Sequence, residues 1–303
     1  MNTLPSVAAR PAIIEDPTNL WIVHPLADKL LPAALRLGIH PNTVSFTGMG
    51  CGALAGWCYW HWQQPVYVLA GFLLMVGWHI MDGLDGKLAR ASGKTSPLGR
   101  LIDGLCDYFT FIFVLLPITL SFADWHGTLA LALVSGALHA VQSAWYEGER
   151  EAWKRRARGV FVTEVRPPSG LGIEGLYNRV EQALGSGARA IDHALAAHPA
   201  GLSTYLAASA PLVRGLSILS ANNRTIAIAL ACLVGNPRLY WYWEIAALSL
   251  IALAMALLLR RREADVINAV ASLPPSLPTQ PLLPKTPLLP KTPSLPTTPP
   301  LAG

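Results

Sequence analysis

Charge is scarce in this chain. Asp, Glu, Lys and Arg make up 14% of its 303 residues while 52% are hydrophobic, against about 25% charged residues in an ordinary globular domain. That balance excludes a conventional soluble domain and indicates an integral membrane protein. Thiol chemistry is equally thin. The four cysteines, Cys51, Cys58, Cys106 and Cys232, lie in apolar stretches without a C-x2-C spacing. They argue against a disulfide framework or thiolate metal site and for small buried side chains. The first twenty residues hold no apolar core of the signal-peptide kind, so insertion is expected from internal spans.

What the chain does have is a series of apolar runs, near residues 44–62, 66–82, 101–122, 127–145, 216–236 and 241–259. Each is close to the length that crosses about 30 Å of hydrocarbon, which predicts an all-α integral membrane protein with six transmembrane helices. Basic residues set the expected orientation. Lys87, Arg90, Lys94 and Arg100 lie between the second and third runs, Arg150 to Arg158 follow the fourth, and Arg260, Arg261 and Arg262 follow the sixth. The positive-inside rule places all three clusters, and both termini, in the cytoplasm. Residues 203–240 are too long for one span and carry Arg214 and Arg224, which favours an interfacial piece followed by a single crossing.

The flanks divide differently. Residues 1–19 read as a flexible N-terminus, and 20–40 as an amphipathic surface helix with Leu20, Val23, Leu26, Leu30 and Ala34 on one face, bent by Pro25 and Pro32. Asn42 or Thr43 is expected to cap the first span. The membrane domain covers 41–262. It is interrupted by a cytoplasmic insertion, 147–201, whose helical pattern from 173 to 197 suits a lipid surface, a cover for a site, or a solvated insertion. In that reading Lys154-Arg155-Arg156 is a positive-inside anchor. From 263 to 303 the character changes, with prolines recurring at about every third position from Pro278 through Pro299, predicting a disordered, polyproline-type tail.

The chemistry concentrates in residues 82–107, which read Asp82-Gly83-Leu84-Asp85-Gly86-Lys87-Leu88-Ala89-Arg90, then Gly99-x3-Asp103-x3-Asp107. Residues three or four apart on a helix share a face, so two carboxylate pairs can converge. Such a cluster at the end of a membrane span is strongly self-repelling unless cations neutralise it. Oxygen-only donors suit hard ions such as Mg²⁺ or Mn²⁺.

This window resembles the signature of the CDP-alcohol phosphatidyltransferases, D-x2-D-G-x2-A-R-x8-9-G-x3-D-x3-D, at all eight fixed positions: Asp82, Asp85, Gly86, Ala89, Arg90, Gly99, Asp103 and Asp107. The resemblance implies a two-ion Mg²⁺ or Mn²⁺ site among the four aspartates, with Asp82, Asp85 and Asp103 mainly holding metal and Asp107 mainly acting as base. It implies attack of an alcohol acceptor on a CDP-alcohol, CDP-diacylglycerol foremost, with release of CMP. It also implies a homodimer, whose helix contacts Gly48, Gly50, Gly52 and Gly56 would permit. No nucleic-acid partner is expected, and in a bacterium the protein would sit in the inner membrane with its site facing the cytoplasm.

Several residues carry two readings. Gly83, Gly86 and Ala89 form a small-residue stripe that suits either a nucleotide against the backbone or close helix packing. Arg90, with Lys87 and Gly99, belongs to the expected phosphate and nucleotide site. Arg214 and Arg224 either bind an anionic acceptor or snorkel to headgroups. Two other activities remain open at this point: a CDP-choline or CDP-ethanolamine phosphotransferase acting on a lipid hydroxyl, and an ion transporter using intramembrane carboxylates.

Overall fold

The structure, a computed structural model, describes residues 12–162 and 189–271. All regular elements among the described residues are helical. Helix α1 covers His24–Arg36, α2 Pro41–Trp60, α3 Pro65–Ala91, α4 Pro97–Leu120 and α5 Trp125–Ala157. They are followed by α6 (Ala190–Ala197), α7 (Leu202–Gly215), α8 (Ala221–Leu233), α9 (Arg238–Tyr242) and α10 (Ser249–Ala271). Two π turns, Asn19–Val23 and Trp243–Leu248, lead into α1 and α10.

Five stretches are long and apolar enough to cross a membrane: Pro65–Ala91, Pro97–Leu120, Trp125–Ala157, Pro199–Leu219 and Arg238–Ala271. The chain is a multi-pass membrane protein. Four of the six spans expected from the sequence fall on these stretches, whereas Pro199–Leu219 covers the part of 203–240 expected to be interfacial. Helix α2, 20 residues long, falls outside the set because glycine and hydroxyl side chains dilute its hydropathy. The expected span 216–236 is broken at Ser220, whose extended backbone (φ −72°, ψ 157°) ends one helix, while its hydroxyl oxygen accepts from the N–H of Asn223 to start the next. Helix α8 then runs for only 13 residues.

Prolines open the three helices that build the site. Pro41, Pro65 and Pro97 each occupy a first-turn position, where the missing N–H costs nothing. The cap of α2 is His40, whose Nδ1 accepts from the N–H of Asn42 at 3.2 Å, in place of the expected Asn42 or Thr43. Helix α3 continues for 27 residues, well past the expected limit of 82, so the first half of the carboxylate window is helical. Gly93, at φ +68°, then turns the chain.

Glycine sets how closely α2 approaches its neighbours. A Cβ at Gly48 would lie 3.1 Å from Met81 Cβ, one at Gly52 2.6 Å from Thr110 Cγ2, and one at Gly56 1.9 Å from the carbonyl oxygen of Phe113. These three glycines are therefore used inside the chain, against α3 and α4. Gly50 alone of the four meets nothing within 4 Å.

At the end of the molecule where α5 and α10 carry their basic residues, the structure departs from the sequence reading in three places. Residues 12–19, expected to be flexible, are anchored: Ile14, Glu15 and Asp16 are buried. Arg150 donates to Glu15 at 3.0 Å, and Ser220 donates to Asp16 at 2.6 Å. The segment thereby staples α5 to the break before α8. The boundary at 263 moves as well, because α10 extends to Ala271 with Glu263, Val266 and Val270 buried. The polyproline pattern of 272–303 lies outside the described residues. Arg156, expected as a surface anchor, is fully buried and donates to Asp192 at 2.6 Å.

Asp192, on α6, shows what the expected insertion contributes. Burial alone would raise its carboxyl, but the hydrogen bonds and charges of Arg156 and Arg155 outweigh this and hold it below the usual carboxylate range. The remainder of the insertion pattern, 163–188, lies outside the described residues. Arg189 and Arg260 converge on Glu149 at 2.8 and 2.7 Å, tying α5, the start of α6 and α10 together. The basic clusters after α5 and on α10 therefore share one end of the bundle.

Candidate active site

The turn between α3 and α4 brings the four aspartates together. Asp82 and Asp85 come from the last turns of α3, Asp103 and Asp107 from the first turns of α4, where Ser96 caps the helix by accepting from the N–H of Gly99 at 2.9 Å. One oxygen each from Asp82, Asp85 and Asp103 lies within 4.8 Å of the others. Asp107 stands outside that triplet but lines the same cleft, about 160 Å³ including its mouth, with Ser45, Trp78 and Cys106. Trp78 lies within hydrogen-bonding reach of Asp107, and the hydroxyl of Ser45 donates to Asp85 Oδ2 at 2.5 Å. Asp85 and Asp103 are within hydrogen-bonding reach of each other.

The donor chemistry fits a divalent cation. Among the described residues lining the cleft are four carboxyls and no basic side chain, and three of those carboxyls already converge on one point. A hard ion bound by oxygen satisfies both facts, whereas the thiol of Cys106 is a lone soft donor.

The helix that carries Asp82 and Asp85 divides its faces. Gly83 faces α1 and its π turn, where a Cβ would come within 2.9 Å of Val23 Cγ1, so it is a packing glycine. Lys87, expected near phosphate, is turned the same way: Nζ lies 2.6 Å from Asp28 and donates to the carbonyl of His24 at 3.1 Å. It holds the amphipathic helix against α3. Gly86 is different. The nearest atom to a Cβ there is Nη1 of Arg90 at 3.4 Å, so the exposed guanidinium folds back over the glycine one turn earlier. Ala89 is half-buried. Gly99 stands at the start of α4 beside the start of α2, with Asn42 Oδ1 3.8 Å from where a Cβ would lie. The stripe read from spacing thus splits between a packing face and an open one.

Residues 38–156 match the family model described as CDP-alcohol phosphatidyltransferase, a stretch that contains the whole cleft. Over this stretch the chain is similar to the CDP-alcohol phosphatidyltransferase family. It is 38% identical over 84 residues to archaetidylinositol phosphate synthase of Pyrococcus horikoshii, covering 28% of this chain and 43% of that protein. With the protein of the same name from Aeropyrum pernix it shares 31% over 128 residues, 42% of this chain and 61% of the relative. Cholinephosphotransferase 1 of Xenopus laevis is 29% identical over 110 residues, 34% of this chain and 26% of the relative. The chain therefore spans less than two thirds of each of these curated relatives.

The two arginines singled out for an acceptor sit in unlike places. Arg214 is exposed in the last turn of α7. Arg224 is fully buried in α8 and paired with Glu244 at 3.0 Å, and its remaining donors reach Gln142, Ser143 and the carbonyl of Leu219. Every arm of that guanidinium is taken by the protein, so Arg224 does not present a free cation to a ligand, and it does not line the aspartate cleft. Glu244 lies in the π turn before α10, a local widening often found at functional or strained places. His79 is likewise a packing residue, its Nε2 2.9 Å from Thr225 Oγ1.

The pair Arg224 and Glu244 carries a stability prediction. Arg224→Ala leaves Glu244 charged and buried, and is expected to cost about 3–5 kcal/mol. The double variant Arg224→Met with Glu244→Leu is expected to cost clearly less than Arg224→Ala. Thermal unfolding in detergent measures both, and a double variant no more stable than Arg224→Ala would contradict the assignment.

Sequence reasoning missed Ser45 and Trp78. Each is a polar atom in an otherwise apolar span, a signal too weak to separate from many other serines and tryptophans.

Proposed function

We propose that this protein transfers a phosphoalcohol group from a CDP-alcohol, CDP-diacylglycerol foremost, to an alcohol acceptor, releasing CMP. The observation that carries the reading is the convergence of Asp82, Asp85 and Asp103 in one cleft with Asp107, inside a family signature complete at its eight positions. Two divalent ions, Mg²⁺ or Mn²⁺, held by the aspartates would neutralise charge on the phosphoryl oxygens and the leaving group.

The chain's own residues would supply the rest. Asp107 takes the proton from the acceptor hydroxyl, kept in place by the Trp78 indole. Arg90, folded over Gly86, would bring its guanidinium to a phosphate lying against this open part of α3. The acyl chains of a lipid donor remain in the bilayer while cytidine and pyrophosphate enter from the side of the basic clusters. We place that side in the cytoplasm by the positive-inside rule, with α2 and the short α8 as crossings in addition to α3, α4, α5 and the α9–α10 stretch, and with Pro199–Leu219 held at the basic end of the bundle, where Tyr205 meets Arg156 and Ser209 meets Trp153. Arg214 is the remaining candidate for an anionic acceptor.

A second reading, transfer from CDP-choline or CDP-ethanolamine to a lipid hydroxyl, draws on the likeness to cholinephosphotransferase 1. One experiment separates the two. Protein in lipid nanodiscs is given CDP-diacylglycerol and Mg²⁺ or Mn²⁺ with glycerol 3-phosphate, serine, inositol or inositol phosphate, and CMP is measured. Release that requires one acceptor is the expected result. Release only from CDP-choline or CDP-ethanolamine with diacylglycerol would select the second reading, and no release from folded, metal-loaded protein with either donor class would overturn both.

A further inference from the structure

Ser45 lies outside the eight signature positions, yet it reaches the cleft from α2, a third helix. Its hydroxyl has two acceptors in range. The carbonyl of Pro41, one turn back, is 3.4 Å away, and Asp85 Oδ2 is 2.5 Å away. The shorter contact is the stronger bond. Ser45 is only 7% exposed and Asp85 4%, so water does not readily replace the hydroxyl.

The fold dictates this approach. Gly48 follows Ser45 by three residues, and a Cβ there would come within 3.1 Å of Met81 Cβ and 3.2 Å of Trp78 Cδ1. The backbone of α2 therefore runs directly against α3 at the level of the aspartates, close enough for a side chain as short as serine to bridge. A carboxylate turns broadly about its terminal bond, and Asp85 already has Asp103 within hydrogen-bonding reach. A hydroxyl fixed on Oδ2 stops that rotation and leaves the other oxygen for an ion.

We propose that Ser45 is a positioning residue of the cation site: by holding Oδ2 of Asp85 it sets the orientation in which Asp85, with Asp82 and Asp103, receives the ion. The proposal rests on the metal reading under Proposed function. Residues that orient metal ligands through a hydrogen bond typically contribute about 10–100-fold in metal affinity, and that is the effect expected here.

The test is Mn²⁺ binding by electron paramagnetic resonance, on full-length protein in nanodiscs without substrate. Ser45→Ala should weaken Mn²⁺ affinity by about 10–100-fold, and Ser45→Thr, which keeps the hydroxyl, should recover most of it. In an Asp85→Asn background the Ser45→Ala change should add nothing, because the oxygen it orients no longer belongs to a carboxylate. CMP release by Ser45→Ala should shift to higher Mn²⁺ concentration and recover at saturation, a response that a general packing defect would not produce. Should Ser45→Ala fail to give monodisperse protein, Ser45→Cys, similar in size with a weak donor, carries the same expectation. Wild-type affinity in Ser45→Ala, or an undiminished effect in the Asp85→Asn background, overturns the proposal while leaving the metal site standing. Absence of Mn²⁺ binding by the wild-type protein removes the metal reading and this proposal together.

Discussion

Asp107→Asn is expected to lower acceptor-dependent CMP release by about 10²–10⁴-fold, the usual contribution of a positioned general base, while Mn²⁺ binding changes far less. Asparagine keeps the size of the side chain and an oxygen for the Trp78 indole, so the site should remain assembled and lose only the group that accepts a proton. Asp82→Asn should behave in the opposite way. Asp82 belongs to the triplet whose oxygens lie within 4.8 Å, and neutralising it removes charge where the ion would bind. Its activity should fall with a large loss of Mn²⁺ affinity and return in part at high Mn²⁺. Titrating both variants with Mn²⁺ while following CMP tells the two roles apart. If Asp107→Asn loses Mn²⁺ as severely as Asp82→Asn, Asp107 is a ligand and the base must be sought elsewhere.

Gly56→Ala should damage the fold more than any other single methyl added to α2. Its Cβ would stand 1.9 Å from the carbonyl oxygen and 2.8 Å from the carbonyl carbon of Phe113, and backbone atoms inside a helix cannot step aside. Overpacking usually costs about 1–3 kcal/mol and at times more; contact with main chain puts this variant at or beyond the upper end. Helix α2 would have to move away from α4, taking Ser45 with it. Gly50→Ala is the control, since nothing lies within 4 Å of its Cβ and alanine is the better helix former by about 1 kcal/mol. Size-exclusion profiles and melting temperatures in detergent should show Gly56→Ala aggregated or strongly destabilised and Gly50→Ala equal to wild type or better. A Gly56→Ala protein that melts with wild type would mean the helices are not this close.

The parts of the site legible in the sequence are those whose geometry is local. Asp82 with Asp85, and Asp103 with Asp107, share faces because a helix repeats every 3.6 residues, and a short turn at Gly93 suffices to bring the pairs together. The spans were legible for the same reason, since length and hydropathy are properties of a continuous segment. Their ends were less so. Ser220 interrupts the expected span as the cap of α8, and its hydroxyl donates to Asp16, far away in the chain, while α3 runs on to Ala91 through residues charged enough to suggest a loop.

What the sequence by itself determined, then, is a multi-span helical membrane protein with four carboxylates poised to meet at one point. The tertiary structure alone decided the partners of the other charges. Lys87 went to Asp28, Arg156 to Asp192 and Arg224 to Glu244, whereas spacing had offered them to phosphate, to the membrane surface or to an acceptor. Gly83 went to α1, and Ser45 reached Asp85 across two helices. The physical reason is common to all five. A buried charge or a close helix contact depends on what another segment places within a few ångströms, and that distance is set by packing between distant parts of the chain, which no local period encodes.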